Sequence, residues 1–97
     1  MQKQTSISCM AALAQETRLE VFRLLVRMGD TGLSAGKIAE GVDANATTLS
    51  RHLTVMEQAG LVSKERQARQ IIYRVNFETV RGLFSFLLED CCAGDPR

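Results

Sequence analysis

Residues 45–75 read NATTLSRHLTVMEQAGLVSKERQARQIIYRV, and two different periods run through them. In the first half, Leu49, Leu53 and Met56 recur at i, i+4 and i+7, the spacing that lines up one face of an α-helix. Asn45 stands where an N-cap side chain accepts an orphan backbone N–H, and Gly60 stands where the helix must stop. In the second half the period falls to two. Leu61–Glu65 and Gln70–Val75 read as strands joined across RQAR, with Ile71, Tyr73 and Val75 on one face and Ile72 and Arg74 on the other. A helix running straight into a basic hairpin is the signal around which the rest of the chain is arranged.

Upstream, LSAGKIAEGV (33–42) reads as a short helix with Ser34 as its N-cap and Ile38, Ala39 and Val42 facing inward; DANA (43–46) breaks it. DTG (30–32) is a turn, and before it ETRLEVFRLLVRMG predicts a helix with Leu19, Phe22, Leu25 and Val26 on one stripe and Gly29 as the stop. SISCMAALA (6–14) is a further short helix carrying Cys9. Downstream, Asn76 caps a last helix, FETVRGLFSFLLEDCCA. Its broad stripe holds Phe77, Val80, Phe84, Leu87, Leu88 and Cys91, while Phe86 points to the opposite side. A helix apolar on more than one side must bury more than one side, and in a chain of 97 residues a second copy is the natural cover. Gly94 and Pro96 end this helix and leave Cys91 and Cys92 in its last turn.

The predicted fold is therefore mainly α with a small β-hairpin, a winged helix-turn-helix of order α-α-α-α-β-β-α, one domain spanning residues 1–97. There is no long apolar run to span a membrane and no signal-peptide pattern at the start, so a cytoplasmic protein is expected. Three cysteines cannot all pair within one chain, and in a reducing compartment metal or metalloid ligation and redox sensing outweigh structural bridging. The formal net charge is only +1. The distribution says more: residues 51–81 hold six cations (Arg51, Lys64, Arg66, Arg69, Arg74, Arg81) against three acids (Glu57, Glu65, Glu78), a local basic footprint. Charge alone is better explained by a solvated surface.

The helix face opposite the apolar stripe, taken alone, also reads as a solvated surface; the basic hairpin placed directly after it weighs against that reading. Thr47, Arg51, Thr54 and Gln58 lie on that face, flanked by Thr48 and Val55 on one side and Ser50 on the other; His52 falls at the edge of the buried stripe. A helix of this kind fits the major groove. There Arg51 can pair with guanine, and the hydroxyls of Thr47, Thr48 and Ser50 can meet bases or phosphates. Lys64, Arg66 and Arg69 on the hairpin can meet the backbone. The competing reading is a dimeric protein-interaction module that uses the apolar last helix and has no affinity for DNA. An enzyme is not expected, because no nucleophile–base pair, phosphate-cradling glycine loop or paired-carboxylate cleft is in view.

The strings AQETRLEVFRLLV, GLSAGKIAEGVDANATTLSRHLTVMEQAGLV and KERQARQIIYRV resemble the ArsR/SmtB family of winged-helix repressors over about residues 10–90, most specifically in TTLSRHLTVMEQAGLV. The resemblance implies a homodimer joined by the first and last helices, two recognition helices reading an imperfect palindrome in double-stranded operator DNA, and release of DNA when a metal or metalloid binds. The chain departs from the family at the hairpin turn, where Ala68 stands in place of a frequent glycine. Cysteines in the helix before the recognition helix, one family ligand set, are absent here; histidines on the last helix, another set, are absent too. LLEDCCAGDP resembles a third, arsenite-sensing kind.

On chemical grounds three thiols suit trivalent arsenic, which is soft and needs only three sulfurs, better than zinc, which wants four ligands in a tetrahedron. Cys91, Cys92 and Cys9 are the candidate ligands, with As(III) as inducer and Sb(III) as a substitute; a carboxylate such as Glu89 or Asp90 could complete a zinc site. Thiol redox sensing is the rival. It is disfavoured for Cys91 and Cys92 because a helix C-terminus with Glu89, Asp90 and Asp95 nearby works against a thiolate. A third reading gives the cysteines no role beyond packing.

Overall fold

A computed structural model describes residues 1–91 of the chain. In chain order the elements are α1 (Lys3–Leu13), α2 (Glu16–Met28), a 3₁₀ turn (Gly29–Thr31), β1 (Leu33–Ser34), α3 (Ala35–Val42), α4 (Ala46–Gln58), β2 (Val62–Gln67), β3 (Gln70–Val75) and α5 (Phe77–Leu88). The helix-turn-helix followed by a hairpin wing is as expected.

Each helix start has a local cause. Asn45 accepts the backbone N–H of Thr48 at 2.8 Å and so caps α4. Ser34 does the same for Lys37, and Asn76 for Thr79. Gln15 caps α2 by accepting from Arg18 N–H, a role its sequence context did not reveal. The break between α3 and α4 is made by Asp43, which adopts the left-handed conformation at φ 53 while the Ala44 N–H returns to the Ala39 carbonyl.

Four expectations need correction. The sheet has three strands in the order β1-β3-β2, because Leu33 and Ser34 pair antiparallel with Tyr73 and Ile72. Two residues carry no periodicity, so this strand was invisible. It exists because the chain passes close to β3 at Gly32, where φ is +65 and a Cβ would meet the Tyr73 carbonyl at 2.5 Å; only glycine allows that approach. The hairpin is also longer and tighter than expected: strands run to Gln67 and restart at Gln70, leaving Ala68 and Arg69 as the turn. In α2 the buried residues are Val21 and Leu25, with Leu19 and Val26 exposed. The helix has more apolar residues than one face can hold, and neighbouring helices choose among them. Finally, α5 ends at Leu88, so Cys91 lies past the turn that follows the helix rather than in its last turn, and Cys92 falls outside the described residues.

One cluster of buried side chains ties the elements together: Cys9 and Ala12 of α1, Val21 and Leu25 of α2, Ile38 of α3, Leu49, Leu53 and Met56 of α4, Leu61, Val62 and Val75 at the base of the wing, and Leu83 of α5. The α4 stripe is the one read from the sequence, and it packs α4 against the body. The inward residue of α5 is Leu83, with Phe86 half-buried. Phe84, Leu87 and Leu88 of the expected stripe are 57%, 49% and 60% exposed. Ile7 and Met10 of α1 are exposed as well.

Candidate nucleic-acid interface and thiol positions

With Leu49, Leu53 and Met56 pinned in the core, the opposite side of α4 is fixed in orientation. Thr47, Thr48, Ser50 and Arg51 are all exposed, as is Thr54, whose hydroxyl donates to the Ser50 carbonyl at 3.0 Å. This is a row of short hydroxyl side chains around one long guanidinium, carried on a 13-residue helix. It can present hydrogen-bonding groups to base edges without steric obstruction.

The wing leaves the body at Val62, the last buried residue of β2, and is exposed from Ser63 to Gln70. Its charges are not equivalent. Lys64 Nζ lies 3.4 Å from Glu57 Oε1 on α4. Arg74 bridges Glu65 Oε1 at 2.7 Å and donates to the Asp30 carbonyl at the same distance. Hydrogen bonds from Gln67 and Arg74 hold the Glu65 carboxyl below its ordinary range. Arg66 and Arg69 have no ion pair among the described residues and sit at the tip. The uncompensated positive charge of the wing is therefore at its far end, where a polyanion would meet it. Of the three wing cations read from the sequence, Lys64 is the one already partly neutralised.

Two residues beside this surface make contacts that the sequence does not reveal. Arg18, at the start of α2, donates from Nε to the Ala12 carbonyl at 2.6 Å and lies with Nη1 3.1 Å from His52 Nδ1. A guanidinium can only donate, so Nδ1 is the acceptor and the ring proton sits on Nε2. Burial lowers the His52 pKa below its usual 6.5, and the charges of Arg18 and Arg51 lower it further. Arg18, Thr48, Arg51, His52 and Val55 line an open pocket of about 310 Å³ beside the exposed face of α4. No sequence signal links residues 18 and 52; only the packing of α2 on α4 brings them together.

Two of the three thiols lie among the described residues. Cys9 is fully buried between α1 and α4, and its Sγ–H donates to the Ala59 carbonyl, the C-cap of α4, at 3.3 Å. Burial pushes this thiol's pKa up, so it is held as the neutral S–H form. Cys91 is exposed beyond the end of α5. Among the described residues no three His, Cys, Asp or Glu side chains stand close enough to hold a metal ion. Ser6, one turn before Cys9, is buried with its hydroxyl unpartnered. No helix among the described residues is long and apolar enough to cross a membrane.

Comparison with known proteins agrees with this architecture. A helix-turn-helix domain family matches residues 13–65. The arsenical resistance operon repressor of Bacillus subtilis is 35% identical over 81 residues, 84% of this chain and 73% of that protein. The HTH-type transcriptional regulator YgaV of Escherichia coli is 30% identical over 81 residues, 84% of this chain and 80% of that protein. Among solved structures, an ArsR-like transcriptional regulator from Rhodococcus sp. RHA1 superposes with a TM-score of 0.78 at 28% identity, covering 93% of this chain and 81% of that one. An exposed recognition helix, a basic-tipped wing and relatives that are transcriptional regulators rather than enzymes lead to one assignment: the chain belongs to the ArsR/SmtB-like family of winged-helix, DNA-binding transcriptional regulators.

Proposed function

We propose that the protein is a homodimeric repressor that grips an imperfect palindrome and lets go when trivalent arsenic, or antimony in its place, is captured by cysteine thiols. The observation that carries the DNA half of this reading is the fixed, exposed row Thr47, Thr48, Ser50 and Arg51 on α4, with Arg66 and Arg69 projecting beside it on the wing. Arg51 supplies paired donors for guanine, the hydroxyls adapt to bases or phosphates, and the wing cations, with Lys64 nearer the body, hold the backbone.

The dimer half rests on uncovered apolar surface. Phe84, Leu87 and Leu88 of α5 and Ile7 and Met10 of α1 are exposed in the single chain. A second copy covers them symmetrically and sets the two recognition helices about one DNA turn apart.

The inducer half rests on the chemistry of the thiols. Cys91 and Cys92 stand adjacent in the chain, although Cys92 lies outside the described residues. Cys9 has the softness the site needs, but its sulfur is engaged with the Ala59 carbonyl. Recruiting it to a metalloid takes that bond away from the end of the recognition helix, which supplies a route from capture to a weakened grip. The raised pKa of Cys9 counts against simple oxidation as the trigger. A DNA-release titration tests the reading, with arsenite, antimonite, zinc, cadmium and peroxide compared on wild type and on Cys9→Ser, Cys91→Ser and Cys92→Ser. Arsenite should release wild-type protein, and each serine variant should need a higher dose. Equal release in all four proteins would eliminate the three-thiol site.

A further inference from the structure

We propose that the pocket between the start of α2 and α4 is a seat for one DNA backbone phosphate, held by Arg18 with Thr48 and the Nε2–H of His52, while Arg51 at its rim stays available to a base edge. This rests on the DNA-binding reading and adds, through Arg18 of α2, a donor from outside both α4 and the wing.

Three observations carry it. First, two guanidiniums and an imidazole share one pocket whose lining includes no acid, and neither arginine has an ion pair among the described residues. Cations gathered beside a half-buried histidine without a counter-charge repel one another, and a polyanion supplies the missing partner. Second, the donors are already oriented. Arg18 uses two bonds, to the Ala12 carbonyl and to His52 Nδ1, to fix its plane, and among the described residues the rest of its fork has no partner. The same bond fixes the His52 tautomer, which turns its remaining N–H into a donor. Third, the place is right. Thr48 and Arg51 belong to both the pocket and the exposed side of α4. A helix seated in the major groove has its flanks against the phosphate strands that border the groove. The wing carries its uncompensated cations at a separate place, its tip, so the seat adds an anchor independent of it.

The contact is sequence-independent, so it is read on a non-operator duplex as the slope of log binding constant against log salt. Arg18→Leu should make the slope shallower by about 0.9 per bound protomer, and Arg18→Lys should keep it. His52→Leu removes a neutral donor; it should weaken binding about fivefold at about 50 mM NaCl without changing the slope, and His52→Gln should restore affinity. A merely structural defect lowers the active fraction and leaves the slope alone. Folded Arg18→Leu protein with the wild-type slope overturns the seat. If loss of the Ala12 bond unfolds Arg18→Leu, the His52 pair decides: His52→Leu binding as tightly as wild type overturns it. Wild-type protein that binds no duplex at any salt would sink the DNA reading itself, an outcome distinct from failure of the seat.

Discussion

Truncating Phe84 tests the proposed dimer most directly. Phe84 lies on the outer side of α5 and is 57% exposed in the single chain, whereas the inward position of that helix is held by Leu83. Phe84→Ala therefore removes no core packing, and alanine favours the helix. Burying a large apolar side chain completely is worth about 1.5–3 kcal/mol. Covering the exposed part of Phe84 is then worth about 1–1.5 kcal/mol per protomer, and a twofold interface presents the residue twice, so about 2–3 kcal/mol is at stake per dimer. That corresponds to a dissociation constant about 30- to 150-fold weaker. Sedimentation equilibrium over a concentration series measures it, with circular dichroism to show that the variant keeps its helices. Wild-type protein that stays monomeric throughout, or a variant whose dissociation constant matches wild type, refutes the reasoning.

Two further outcomes are expected. Ala68 holds φ 56 at the wing turn, a region that costs an L-residue about 1–2 kcal/mol, so Ala68→Gly should stabilise the chain by about 0.5–1 kcal/mol after glycine's own entropy cost of about 0.5–1 kcal/mol. Calorimetry should show a melting temperature a few degrees higher, with the DNA salt slope unchanged; a lower melting temperature contradicts the strain argument. His52 is the single histidine, and its folded pKa lies below the usual 6.5, so the unfolded chain takes up its proton first as pH falls. Its contribution to stability is complete above that usual value and is lost as pH drops towards the folded value. Urea melts from about pH 7.5 to about pH 5 should lose this part of the pH dependence in His52→Gln; identical profiles for the two proteins would show that His52 is not held neutral by the fold.

What could be read in advance was whatever depends on neighbours along the chain. Asn45, Ser34 and Asn76 each cap the N–H three residues on, and Leu49, Leu53 and Met56 reach the core because one helical face suffices to place them. What depends on distant partners was hidden. The pairing of Leu33 and Ser34 with β3 needs a strand some forty residues away and leaves no pattern in two residues. The choice of Val21 over Leu19 and Val26 is made by the helices that pack on α2. The basic wing was visible as composition, but which cations are spent on Glu57 and Glu65 was not. The same holds for the thiols: their softness is a property of cysteine, whereas the burial of Cys9 against Ala59 belongs to the packing of α1 on α4.

That last contact gives α1 an unusual mechanical position. One side of the helix is bolted, through a sulfur and through Ala12, to the rear end of α4 and to the arginine that braces its middle. The other side offers Ile7 and Met10 to whatever covers them. These contacts run directly from helix to helix, so rocking α1 like a lever arm would carry α4 and its exposed face with it.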